Sequence, residues 1–185
     1  FRHKEHVSVA RDAHGLVGPK MAWLPFSVDS ASLPRPIPSE KKHKVLFLGN
    51  SIASVYPKRA AVLRECRAVM RAPGRILAYK RYLALASQHR FGLTCKSKYN
   101  IDPAKMLEYA AVGCIPLCDS SPGQGDLLPG LSFQYESPED VLRIVRQSDP
   151  ERLRKMSEGC IAHVRKHHTH AKRAKDFMEE VCSLY

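Results

Sequence analysis

"DPAKMLEYAAVGCIPL", residues 102–117, decides the fold, because it reads as a helix and a strand with almost nothing between them. Asp102 is placed to cap the helix, Pro103 suits its first turn, and Gly113 suits the residue that ends it. The helix runs directly into "CIPLC", residues 114–118, a short apolar run suited to a buried strand. One charge stands inside this apolar stretch, Glu108, between Leu107 and Tyr109.

The same alternation extends outward. Before the helix, "RFGLTC" (90–95) reads as a strand, "KRYLALASQH" (80–89) as a helix and "RILAY" (75–79) as a short strand. Earlier still, "KVLFL" (44–48) is a buried-strand run that breaks at Gly49, Asn50 and Ser51, where glycine permits the tight turn of a strand-to-helix loop. In "YPKRAAVLRECRAVM" (56–70), Pro57 sits at an early helical position, and Val62, Leu63, Cys66, Val69 and Met70 fall on one helical face. "LSFQY" (131–135) supplies a last strand, and the chain from Ser137 onward reads as helical, with Ser137 and Ser148 or Asp149 as N-caps. Strands alternating with helices predict an α/β, Rossmann-like parallel sheet flanked by helices, with a helical C-terminal tail.

Residues 1–40 read as a lead-in and linker: "LPRPIPSEKKHK" (33–44) carries three prolines and a basic cluster. The regular pattern occupies 41–185, and 185 residues with 44% hydrophobic content are enough for one sizeable core. The chain begins at Phe1, so a preceding segment is expected to be missing. No run of eighteen or more apolar residues and no secretory leader is visible, which predicts a soluble protein. The six scattered cysteines suit buried free thiols in a reducing, cytoplasmic compartment. Thirty Lys and Arg against eighteen acids give a net charge of +12, a field that favours anionic partners such as nucleotides, phosphates, nucleic acid or an anionic membrane surface.

Two readings of Glu108 stand side by side. At ~100° per residue it projects about 200° from Met106 and Ala110, as a solvated glutamate paired with Lys105 would. Alternatively, ligands of open parallel sheets sit outside the carboxyl ends of the strands, and a carboxylate in the first turns of the following helix can accept both vicinal hydroxyls of a ribose. Arg59, on a helix that follows a strand, has the same two readings, solvated cation or partner of an anionic ligand.

"WLPFSVD" (23–29), "VLFLGNS" (45–51) with "YPKRAAVL" (56–63), "PAKMLEYAAVGCIPL" (103–117) and "HTHAKRAKDF" (168–177) occur in this order, and over about residues 21–180 the chain resembles the C-terminal, donor-binding half of GT-B glycosyltransferases of the group-1, CgeB-like family. The resemblance implies that Glu108 binds the ribose of a nucleotide-diphosphate sugar, that Arg59 and Lys105 neutralise its diphosphate without a metal, and that Gly49, Asn50 and Ser51 face this donor. It also implies transfer with retention to an unknown acceptor, no further cofactor, and a second GT-B domain in the full-length chain or a partner. Family members often carry a glutamate eight residues before the second one, on the sugar ring; here that position is Asn100, which can hydrogen-bond hydroxyls but lacks the charge. A non-catalytic nucleotide-sugar-binding or scaffold module is the alternative. Specific nucleic-acid binding is not expected, since no recognised module and only 8% aromatics accompany the charge.

Two further stretches read as bland. His163 and His167 stand four apart on a helix, a spacing that can hold a metal, but Arg165, Lys166 and Lys172 repel cations and no carboxylate is near in sequence, so a basic helical surface is expected. "SSPGQGD" (120–126) lacks the lysine of a P-loop and the glycine pattern of a dinucleotide fold, and reads as a plain loop.

Overall fold

A computed structural model describes residues 25–72, 77–95, 104–119 and 124–182. Five parallel strands form one sheet: β1 (Lys42–Leu46), β2 (Met70–Arg71), β3 (His89–Thr94), β4 (Ile115–Asp119) and β5 (Phe133–Tyr135), in the spatial order β2-β1-β3-β4-β5. Between and after them run α1 (Pro57–Glu65), α2 (Tyr79–Ser87), α3 (Lys105–Ala111), a short α4 (Gln124–Leu127), α5 (Pro138–Gln147), α6 (Pro150–His167) and α7 (His170–Cys182). The expected α/β, Rossmann-like sheet is therefore present. Its strand order reverses between β1 and β3, which opens a crevice at their carboxyl ends.

Alternation along the strands divides the core into two layers. Val45, Phe47, Phe91, Leu93, Ile115 and Leu117 point to one face, where Val62 and Cys66 from around α1 and Val141 and Val145 of α5 cover them. Leu46, Leu48 and Cys118 point to the other, beneath Leu83 and Ala86 of α2 and Met106, Leu107, Tyr109 and Ala110 of α3. α6 packs along α3 at the sheet's flank, and its residues divide between both layers: Leu153 and Met156 join the first, Cys160 and Val164 the second.

Three expectations are corrected. The helix expected to reach Met70 ends at Glu65, and "RILAY" is not the second strand: Tyr79 opens α2, while residues 75 and 76 lie outside the described residues. Val69 and Met70, whose spacing fitted a helical face, instead run along the sheet edge, where the Val45 and Phe47 amides donate to the Val69 and Arg71 carbonyls at 2.9 Å each. Within "SSPGQGD" the residues from Gln124 are helical; the first four lie outside the described residues. Gln124 is buried there and donates to the Ser132 hydroxyl, which ties the turn to the approach to β5.

Residues 25–40 dock on the fold at several points: Val28 and Leu33 are buried in the second layer with Phe26 packed against it, the Val28 amide donates to the His168 carbonyl at 2.8 Å, and its carbonyl accepts from His170 at 3.1 Å. Five cysteines are buried free thiols and Cys182 is exposed. Among the described residues no helix is long and apolar enough to cross a membrane.

The helix signals in the tail are read correctly. Ser137 accepts from the Asp140 amide while Asp140 accepts from the Ser137 amide, a reciprocal cap, and Asp149 caps α6 through the Arg152 amide. Ser137→Ala is expected to remove about 1 kcal/mol of stability, measured by denaturant titration, because it orphans an amide at the start of α5.

Candidate functional site

The carboxyl end of β1 runs through Phe47, whose amide still bonds β2, and Leu48, both buried, into Gly49, Asn50 and Ser51. These five residues form one side of a cleft of about 790 Å³. Ala72, just after β2, and Leu77, Tyr79 and Tyr82 at the start of α2 form the opposite wall, and Lys105 and Glu108 of α3 complete it. The cleft thus lies at the carboxyl ends of the strands beside the reversal in strand order, where a parallel sheet leaves space for a ligand.

Of the residues singled out in sequence, Gly49, Asn50, Ser51, Lys105 and Glu108 come together in this cleft. Asn100 lies outside the described residues. Glu108 is half-buried rather than on a wet outer face, and burial pushes its carboxyl pKa up, against a lowering pull from the Tyr82 hydroxyl and from Lys105. Lys105 is also half-buried; burial draws its ammonium pKa down, while Glu108 acts in the other direction. Its Nζ donates to the Leu48 carbonyl. That ammonium stands against Gly49: a Cβ there would lie 3.0 Å from Phe47 Cζ and 3.2 Å from Lys105 Nζ. A side chain at this loop is a tight fit, and Phe47 or Lys105 would have to give by a few tenths of an ångström.

Arg59 reaches the same loop from α1 without lining the cleft. Its Nη1 donates to the Asn50 carbonyl at 2.7 Å and its Nη2 to the Cys95 carbonyl at 3.3 Å, and the guanidinium lies 4.0 Å over the Tyr56 ring. One arginine therefore fastens the loop after β1 to the end of β3. The Asn50 side chain accepts from the Ile52 amide and holds the turn from within. The first turn of α1 carries Lys58 and Arg59 and no acid, and no side chain caps it, so this helix start is electropositive.

Sequence reasoning missed the α2 wall. Tyr79 and Tyr82 are three apart on a helix whose first turn also carries Lys80 and Arg81, a spacing that puts both hydroxyls on one side, and their rings lie 6.1 Å apart. Burial raises the pKa of both phenols, and the Glu108 charge raises them further.

The histidines belong elsewhere. His163 and His168 both meet the Leu127 carbonyl, at 3.0 and 3.1 Å, and His167 stacks beside His163. Arg173 donates to His168 Nδ1, which leaves the proton on Nε2 for Leu127. Burial and the Arg173 charge push His168 down to about 4, so it is neutral and structural. Among the described residues no group of three His, Cys, Asp or Glu is arranged to hold a metal ion.

Residues 33–179 match a family described as glycosyl transferase-like. No curated protein sequence matches the chain. Solved structures similar to it include AviGT4, a glycosyltransferase involved in avilamycin A biosynthesis, with a TM-score of 0.62 and 15% identity over 94% of this chain and 60% of that one. Sucrose-phosphate synthase from Thermosynechococcus elongatus has a TM-score of 0.66 and 12% identity over 96% of this chain and 56% of that one. The N-terminal domain of Candida albicans trehalose-6-phosphate phosphatase has a TM-score of 0.63 and 10% identity over 98% and 56%. At these identities the likeness is one of fold, and the chain spans 56–60% of the length of those structures. With a family match that covers most of its length and a parallel sheet that matches one half of the GT-B fold, the chain belongs to the glycosyl transferase-like family.

Proposed function

We propose that the cleft binds a nucleotide-diphosphate sugar and that this chain is the donor half of a glycosyltransferase. The observation that carries the reading is the convergence of Glu108, Lys105 and the Gly49–Ser51 loop on one cleft at the carboxyl edge of the sheet. A carboxylate kept in a half-buried place, against the cost of burial, suits an acceptor for two ligand hydroxyls, and Glu108 would take those of the ribose. Lys105 would meet the diphosphate, and the loop amides held in place by Arg59 would face it. In transfer, the bond between the anomeric carbon and the diphosphate oxygen breaks, a bond to an acceptor hydroxyl oxygen forms, and that hydroxyl's proton passes to the departing diphosphate. Fixed cations would stabilise the charge that builds on the departing diphosphate, so the reading carries no metal. Retention of configuration, the acceptor and a second domain that completes the cleft are part of the same reading; the share of the similar structures that this chain spans leaves room for such a domain.

Isothermal titration with uridine, guanosine and adenosine diphosphate sugars tests the donor site. Saturable binding of one of them, lost in Glu108→Ala, is expected; no binding by any, or binding unchanged in the variant, would sink the reading. Gly49→Ala probes the diphosphate end. Its methyl displaces Lys105 Nζ, and affinity for the diphosphate is expected to fall roughly tenfold, the worth of one charge-assisted contact. Affinity for the unphosphorylated nucleoside should not change.

A further inference from the structure

Tyr82 occupies an unusual position for a polar side chain. It is 7% exposed, packed at 5.9 Å ring to ring against Tyr109, and its hydroxyl is a buried group with no formed hydrogen bond among the described residues. A buried hydroxyl left without a partner costs free energy, so one in a cleft wall marks a place where a partner arrives or turns. Tyr82 of α2 and Glu108 of α3 line the same cleft, and the hydroxyl holds the Glu108 carboxyl pKa down against burial although no hydrogen bond is formed.

We propose that Tyr82 is a positioning residue for Glu108: its hydroxyl is directed at one carboxylate oxygen without a ligand, closes to a full hydrogen bond when a ligand fills the cleft, and so turns the remaining lone pairs toward the ligand's hydroxyls. The proposal rests on the reading of Glu108 as the ribose acceptor and adds what holds that acceptor in place. A carboxylate has about four acceptor positions, so one donor from Tyr82 leaves enough for a vicinal diol. Lys105 is the other charged neighbour of Glu108, but one of its three N–H donors goes to Leu48 and its ammonium is the group proposed for the diphosphate. Tyr79 is 37% exposed, so water can serve its hydroxyl, and Tyr109, whose hydroxyl is also buried without a partner, feels the Glu108 charge but does not line the cleft. Among the described residues that line the cleft, Tyr82 alone offers an unspent, water-excluded hydroxyl donor. It was not among the residues singled out in sequence.

Tyr82→Phe keeps the ring and its packing on Tyr79 and Tyr109, so the chain should fold; a thermal melt checks this. The first readout needs no ligand. In protein labelled with ¹³C at the glutamate carboxyl, with the Glu108 signal assigned by its loss in Glu108→Gln, the Glu108 titration midpoint should move to higher pH in Tyr82→Phe and move less in Tyr79→Phe. A midpoint unmoved by Tyr82→Phe overturns the proposal. The second readout is the dissociation constant of uridine, guanosine and adenosine diphosphates. Roughly tenfold weaker binding in Tyr82→Phe, with loss of binding on acidification beginning at a higher pH than in the parent, supports the role. Equal affinity in both proteins overturns it. If neither protein binds any nucleotide but the midpoint moves, the nucleotide reading falls and the coupling of Tyr82 to Glu108 stands.

Discussion

Glu108→Gln is expected to weaken nucleoside diphosphate binding strongly and, at neutral pH, to raise the melting temperature. The two effects have one cause. Each hydrogen bond from a ligand hydroxyl to a charged acceptor contributes about 1.5–3 kcal/mol, and glutamine presents an amide N–H₂ where one of two acceptors stood. Loss of one contact, and of the charge behind the other, corresponds to a fall in affinity of roughly ten- to a hundredfold, read by titration calorimetry. The same carboxylate is a burden to the ligand-free fold. Burial raises its pKa above the ordinary glutamate value, so the folded protein holds the proton more tightly than the unfolded chain does. Stability therefore rises as pH falls through the folded pKa, and above it the fold bears the cost of the buried charge. Glutamine removes that cost. A gain of a few degrees in melting temperature is expected at pH 7, on the order of 1 kcal/mol for a chain of this size, and the gain should shrink as pH approaches about 4.3, the ordinary glutamate range. A variant that melts lower at pH 7 and binds nucleotide as tightly as the parent would falsify both parts.

That prediction could be written from the sequence only in part. The helix-to-strand passage around Glu108 was legible because Gly113 and the apolar run bracket it, and Gly113 does adopt φ +67° where the helix ends. The alternation of strands and helices was legible for the same reason, short apolar runs punctuated by glycine and proline. The edge strand β2 was not. Two residues have no detectable period, and Val69 and Met70 sit at a spacing that a helix would also use; only pairing with β1 decides between them. The α2 wall followed β2 out of view, since Tyr79 and Tyr82 acquire their neighbour Glu108 through a strand order that local patterns do not encode. Arg59 shows a related limit. Its place on α1 was clear, but a long side chain can reach either the cleft or the loop behind it, and hydrogen bonds to Asn50 and Cys95 take it to the loop.

Gly92→Val is expected to damage stability and the cleft together, although Gly92 does not line the cleft. Gly92 lies in the middle of β3, flanked by β1 and β4, with the Tyr109 ring directly over it. A Cβ there would fall 2.4 to 2.7 Å from three ring atoms, closer than side-chain atoms pack. Glycine in a central strand normally weakens it, so its presence here reflects the close approach of α3 rather than any need of the strand. Tyr109 cannot yield by changing rotamer at little cost, because it is fully buried against Tyr82 on one side and the sheet on the other. The remaining response is for α3 to lift from the sheet, which carries Lys105 and Glu108 with it. Overpacking of this kind costs typically about 1–3 kcal/mol, and valine, with two methyl groups on its Cβ, should lie at or beyond the upper end. Against a total stability on the order of 5–15 kcal/mol, such a loss is large and should appear as a lower denaturation midpoint. Gly92→Val combined with Tyr109→Ala separates the two explanations. If the clash drives the effect, the double variant should be more stable than the sum of the single losses predicts, since removal of the ring vacates the space that valine needs. Simple additivity would mean instead that valine disturbs β3 itself, and the cleft would then depend on the strand rather than on the seating of α3.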